Sequence, residues 1–275
     1  MKKTFISLVA AAAAALAFAA PVAARAETEL KLGHVGEPGS LFQISADEYA
    51  RRVNEKLKGK VKITTYGSSQ LGGDKEMIQK LKLGTLDMAI PSTVMSSEVD
   101  LFGIFELPYM VKNRDHMKRI EKEVFWPALA PAAEKKGLHV LAVWENGYRH
   151  ITNNKHPIKE PGDLQGIKLR VPGGKWRVKM FQAYGANPSP MKFSELPADV
   201  RKVLEDTAKE TQAFVYATAE KQEGDLLAKL KQAGMQVNEV DKAAFIKASK
   251  PIYEEFGKQV AGAQPLIDKA VALGK

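Results

Sequence analysis

Glu29-Leu30-Lys31-Leu32-Gly33-His34-Val35 followed by Gly36-Glu37-Pro38-Gly39-Ser40 is the stretch from which the fold is read. Residues 29–35 alternate apolar and polar side chains, the period of a strand with one buried face. The Gly/Pro run breaks that strand, and Ser40 is a natural N-cap for the helix that Leu41, Phe42, Ser45, Tyr49, Val53 and Leu57 mark at helical spacing. Alternation returns at residues 61–66 and ends in Gly67-Ser68-Ser69-Gln70-Leu71-Gly72-Gly73. A helix carrying Met77, Ile78 and Leu81 follows, with Asp74 expected as its cap and Gly84 as its stop. Residues 86–90 make a third strand, closed by Pro91-Ser92-Thr93. Strand, helix, strand, helix, strand at this spacing predicts an α/β fold with a parallel sheet and right-handed crossovers. Three small polar loops then share one rim, beside helix N-termini whose free N–H groups and macrodipole favour anionic or hydroxylated ligands. Turn chemistry alone is the other reading of each loop.

Further along, residues 101–109 are apolar, Asn113 caps a helix running to residue 123, and residues 128–136 read as another helical turn or two. Residues 138–144 read as a buried strand broken at Asn146-Gly147, and residues 148–152 as a further strand carrying Arg149 and His150. Arg149 is a candidate cleft residue, whereas His150 reads as an ordinary satisfied side chain.

Gly166-Ile167-Lys168-Leu169-Arg170-Val171-Pro172 alternates again. Pro172 lacks an N–H and holds Val171 extended, so the ladder stops there and Arg170 sits at the carboxyl end of a strand. In α/β sheets ligands bind at that rim. A guanidinium matches a carboxylate with two parallel hydrogen bonds, which a lysine cannot reproduce. An arginine paired to a neighbouring acid for structure alone is the competing reading. A long amphipathic helix is expected from Leu196 to about Gln232, ended by Gly234, then a strand at 235–240, a helix capped by Asp241 and a short closing helix.

The 275 residues include no Cys, 45% are hydrophobic and 8% aromatic, an ordinary globular composition. A basic start at Met1-Lys2-Lys3, an Ala/Leu/Phe/Val run over residues 6–20 and the small residues of Ala24-Arg25-Ala26 predict a secretory signal peptide over residues 1–26. Its removal takes away Lys2, Lys3 and Arg25 and lowers the net charge from +9 to +6. The remaining basic residues are scattered, without a block or an aromatic platform, which argues against nucleic acid as a partner. The five histidines show no metal-ligand spacing, and neither a Gly-x-Ser-x-Gly elbow nor a phosphate-binding Gly-x-x-x-x-Gly-Lys loop occurs. No catalytic residue, metal or cofactor is expected.

Leu32-Gly33-His34-Val35, Tyr66-Gly67-Ser68-Ser69-Gln70-Leu71-Gly72, Glu106-Leu107-Pro108-Tyr109, Gly166 to Pro172, and Gly185-Ala186-Asn187-Pro188-Ser189-Pro190-Met191 together resemble the DctP-type solute-binding proteins of tripartite ATP-independent periplasmic (TRAP) transporters. The resemblance implies a two-lobed periplasmic binding protein-like fold with a long interdomain helix. It implies binding of a small organic acid anion, such as a dicarboxylate or sugar acid, and its delivery to TRAP membrane permease subunits. Arg170 is then the carboxylate clamp, Arg149 a second anion contact and Phe193 a cover over the ligand, with Gln70, Asp74 and Ser92 on the opposite lobe. The divisions expected are lobe I at 27–145, a truncated lobe II at 146–195, the interdomain helix at 196–234 and a C-terminal strand and helices at 235–275, in a periplasmic protein. Truncation is expected because Glu195 runs directly into the start of the long helix, omitting about fifty residues of the family pattern. An internally deleted paralogue with weak or no binding, and a secreted hydrolase using Asp163 or His150, are the alternatives.

Overall fold

The computed structural model describes residues 27–151, 155–165, 167, 176 and 198–275. The expected signal peptide, nearly all of the strand at 166–172, Arg170 and Phe193 lie outside the described residues.

Strand β1 (Thr28–Gly33) is followed by helix α1 (Leu41–Lys56), strand β2 (Val61–Tyr66), helix α2 (Asp74–Lys82) and the short strand β3 (Met88–Ala89). The three strands are parallel in the order β2-β1-β3, with Thr28 opposite Val61, Gly33 opposite Tyr66, and Leu32 opposite Met88. This is the sheet expected from the alternation. Ser40 is the N-cap of α1, its Oγ accepting the Gln43 N–H. Helix α1 buries Ala46, Tyr49, Ala50 and Val53, a stripe at helical spacing, against Leu30, Leu32, Val61 and Ile63. Asn54 of the same helix reaches the outer strand β2. Its Nδ2 donates to Ile63 O at 3.0 Å and its Oδ1 accepts the Ile63 N–H at 2.6 Å, which satisfies backbone groups an edge strand leaves open.

The cap of α2 differs from expectation. Gly73 is the N-cap, with its N–H donated to Glu76 Oε2, and Asp74 is the first helical residue. The carboxylate of Asp74 is thereby released for a tertiary partner.

Beyond β3 the chain makes two 3₁₀ turns, Thr93–Ser97 and Asp100–Glu106, and then helix α3 (Arg114–Ile120). Asn113 caps α3 as expected, Oδ1 accepting the His116 N–H at 2.8 Å. Glu121–Leu129 continues α3 in π register around Pro127, whose ring nitrogen has no hydrogen to donate, and runs into α4 (Ala130–Glu134). The two helical segments expected here are therefore continuous.

Three expected strands do not form among the described residues: 138–144, the described part 148–151 of the strand expected at 148–152, and 235–240 all lack a ladder. A strand-like pattern specifies which side chains are buried and leaves the pairing partner open, and none of these segments meets one among the described residues. The segment 138–144 still packs as its pattern demands, with Leu138, Val140 and Val143 on one apolar cluster and Leu141, Ala142 and Trp144 on the other.

Helix α5 (Ala198–Gln232) spans 35 residues, as expected, and ends near Gly234 at φ +88°. Ala208 of α5 is buried in the β-sheet core, Trp144 Nε1 donates to Ala208 O at 3.0 Å, and Lys56 pairs with Glu210. Helices α6 (Lys242–Gln259), capped by Asp241, and α7 (Ala263–Ala272) close the second cluster. There Trp176 meets Phe256 edge-on at 4.8 Å, and Gly103 lies against both rings. Among the described residues no helix is long and apolar enough to cross a membrane.

Candidate functional site

The carboxyl ends of the three strands feed the three polar loops, and the loops are tied to one another. Ser68 N–H donates to Gly36 O at 2.9 Å, Ser69 N–H to His34 O at 3.3 Å, and Ser68 Oγ to Glu37 Oε2 at 2.8 Å. Ser68 and Ser69 hold left-handed backbone conformations at φ +49° and +58°. Such geometry costs non-glycine residues free energy and persists because these cross-loop bonds hold it.

Ser92 leaves β3 and lines an open cleft of about 2500 Å³. That is larger than the roughly 300–1,000 Å³ of a typical small-molecule pocket. Ser92 Oγ donates to Asp74 Oδ2 at 3.2 Å, joining the third loop to the start of α2. Burial pushes the Asp74 carboxyl above its usual range, while hydrogen bonds from the Ser92 hydroxyl and backbone and the charge of Arg149 oppose the shift. Asp74 Oδ1 is buried with no partner among the described residues.

Arg149 lines the same cleft. The residue is exposed, yet enough protein surrounds it for desolvation to pull its guanidinium below the ordinary value, against the charges of Glu106 and Asp74. Among the described residues no side chain accepts a hydrogen bond from it. Of the expected site residues, the structure thus brings together Asp74, Ser92 and Arg149. Gln70 is exposed on the turn after β2, its N–H donated to Gly67 O, and it does not line the cleft. Arg170 and Phe193 lie outside the described residues.

Two further residues line the cleft, Glu106 and Tyr109, both within a family motif quoted from the sequence but given no role at the site there. Glu106 is 2% exposed and close enough to Arg149 to act on its charge. Tyr109 is exposed and sits at φ +57°, beside a Pro108 carbonyl that accepts the Tyr253 hydroxyl at 2.7 Å. A carboxylate inside the apolar run 101–109 was the available signal, because a buried acid needs a partner. Trp144, Phe245 and Ile252 supply apolar wall.

The model of the DctP family, described as bacterial extracellular solute-binding protein, family 7, matches residues 32–196 and 192–259. The 2,3-diketo-L-gulonate-binding periplasmic protein YiaO of Escherichia coli is 31% identical over 172 residues, 62% of this chain and 52% of its own length. The chain therefore matches about half of that relative. The sialic acid-binding periplasmic protein SiaP of Vibrio cholerae is 29% identical over an aligned length of 321, covering 94% of this chain and 97% of SiaP. Among solved structures, a TRAP periplasmic solute-binding protein from Sulfurospirillum deleyianum with bound succinate is 27% identical, with a TM-score of 0.80 over 90% of this chain and 99% of that one. One from Polaromonas bound to D-erythronate is 25% identical, with the same TM-score and coverage. The chain belongs to the DctP family, whose members are transport proteins that bind solutes rather than enzymes that transform them.

Proposed function

We propose that this chain is the extracytoplasmic, periplasmic solute-binding subunit of a TRAP transporter, exported by residues 1–26, that binds a small carboxylate-bearing organic acid and delivers it to membrane permease subunits. The observation that carries this reading is Arg149: a guanidinium facing the cleft, partly desolvated and without a described hydrogen-bond acceptor. A ligand carboxylate accepting its parallel N–H groups restores what desolvation removed. The ligands of these relatives and structural neighbours, diketogulonate, sialic acid, succinate and D-erythronate, are all acids. In this reading Arg170 is the principal clamp, Phe193 covers the ligand, and Asp74, Ser92 and Gln70 belong to lobe I, residues 27–145. Lobe II is residues 146–195, with residues 196–234 spanning the lobes and 235–275 packing on them.

A second reading, an internally deleted paralogue that binds weakly or not at all, has its own support. The two stretches matched by the family model meet at residues 192–196, where the resemblance puts the missing segment. The aligned length of 321 with SiaP also exceeds the 275 residues of the whole chain.

A thermal-shift screen against these four acids, followed by calorimetry, separates the readings, because a ligand that binds only the native state raises its unfolding midpoint with concentration. The first reading expects at least one acid to do so. It also expects Arg170→Ala to lose about 2–5 kcal/mol of binding, and Arg170→Lys to bind poorly. No shift with any acid at millimolar concentration overturns it in favour of the second.

A further inference from the structure

Arg149 is delivered to the cleft by a segment that forms no strand ladder among the described residues, and a network centred on Arg114 holds that segment. Arg114 is the first residue of α3. Its Nε lies 3.0 Å from Glu145 Oε2 and its Nη2 2.8 Å from Glu145 Oε1, a two-pronged pair. The same Nη2 lies 2.7 Å from Glu223 Oε2 on α5. The other oxygen of Glu223, Oε1, accepts the Tyr148 N–H at 3.1 Å. Gly147, between these anchors, is at φ +77°, and a Cβ there would stand 3.2 Å from Glu223 Oε1. Tyr148 Oη donates to Lys112 O at 3.3 Å, at the foot of α3.

One guanidinium therefore joins a lobe I helix, the segment 145–148 and the long helix, and the next residue along the chain is Arg149. Neither Arg114 nor Glu145 is exposed, so water screens their pair less than it screens a surface ion pair. Gly147 holds a left-handed conformation that favours glycine, and among the described residues 145–149 carry no ladder, so the bonds to Glu223 and Lys112 are what hold the backbone from which Arg149 projects.

We propose that Arg114 is a positioning residue for solute binding. Through Glu145 and Glu223 it sets the path of residues 145–148, and so the direction from which the Arg149 guanidinium enters the cleft. It also couples that direction to the position of the long helix. This rests on the reading of Arg149 as a ligand contact.

The test is calorimetry on the full chain, below the unfolding midpoint of every variant, using whichever of succinate, D-erythronate, 2,3-diketo-L-gulonate or sialic acid binds the wild type. Arg114→Met and Glu223→Ala are each expected to weaken binding roughly tenfold, the scale of one hydrogen bond to a charged group. Glu223→Gln keeps an acceptor for the Tyr148 N–H and is expected to lose less than Glu223→Ala. In an Arg149→Ala background, Arg114→Met is expected to cost nothing further, because the group it positions is gone. A purely structural role predicts the same loss with or without Arg149. Additive losses, or wild-type affinity in both Arg114→Met and Glu223→Ala while Arg149→Ala weakens binding, overturn this inference alone. Unchanged affinity in Arg149→Ala, or a wild type that binds none of the acids, overturns the reading of the site and this inference with it.

Discussion

Replacing Lys82 with Met tests how the rim of the cleft is held. Helix α2 begins at Asp74, bonded to Ser92, and ends at Lys82, paired with Glu98, so both of its ends are tied to residues 92–98. Lys82 Nζ lies 3.4 Å from Glu98 Oε1, with the two side chains 10% and 2% exposed. Unit charges at 3.4 Å attract by about 5 kcal/mol at an effective dielectric constant of about 20. That attraction offsets the desolvation of both groups. Burial pushes the Glu98 carboxyl up and the Lys82 ammonium down, and each partner's charge opposes the other's shift. Lys82→Met keeps the apolar stem and removes the counter-charge, leaving a buried carboxylate, at an expected cost of about 3–5 kcal/mol near neutral pH. The sign of the pH dependence follows from Glu98. A carboxyl whose folded-state pKa is raised contributes stability below its unfolded value and loses it as pH rises through the folded one. Without Lys82 the shift is larger, so the penalty shrinks as pH falls into the ordinary carboxylate range and is full above the raised pKa. Lys82→Met with Glu98→Leu buries no charge and is expected to return to within about 1 kcal/mol of the wild type. Urea denaturation followed by circular dichroism at several pH values measures all three proteins. A single-variant loss below about 1 kcal/mol, or a double variant as unstable as the single, refutes the reasoning.

Gly103→Ala would place a Cβ 2.3 Å from Trp176 Cδ1 and 2.5 Å from Phe256 Cε2, and overpacking of this kind costs about 1–3 kcal/mol. Thermal unfolding should show the drop, and an unchanged midpoint would mean that the rings yield. His34 is buried, its Nδ1 accepting the Gly36 N–H, and burial pulls its pKa below 6.5 against the charge of Asp47. The unfolded chain therefore takes up a proton that the folded one resists, so the stability His34 contributes is present above pH 6.5 and lost as pH falls through its lowered folded value. His34→Gln should flatten that part of the stability profile, and a profile of unchanged slope would exclude His34 as its source. Asn113→Ala removes the acceptor of the His116 N–H and is expected to cost about 1 kcal/mol, read from the same unfolding scans. No change would mean that water caps α3 equally well.

The first sheet and its helices were legible because each depends on neighbours a few residues apart. Alternation at residues 29–35 and 61–66, the Ser40 cap and the stripe from Ala46 to Val53 are local properties of the chain, and the right-handed crossover rule converts them into a parallel sheet. The length of α5, the Asn113 and Asp241 caps and the turn at Gly234 were legible for the same reason. Residues 138–144 read as a buried strand and form no ladder among the described residues, because hydrogen-bonded pairing needs a second segment that an apolar run does not name. Asp74 read as a cap, and tertiary structure turned it to Ser92 instead.

Of the candidate site, residue types pointed to anion binding: the rim loops, Arg149, and the family motifs that added Gln70, Asp74 and Ser92. Which of these meet was decided in three dimensions. Arg149 acts on Asp74 and Glu106 across 75 and 43 positions of chain, and Arg114 reaches Glu223 across 109. Such pairs carry no periodic signature. Charge is written in the sequence, but the burial that makes a charge act at a distance, as between Lys82 and Glu98, comes only from packing, because packing alone removes the water that would screen it.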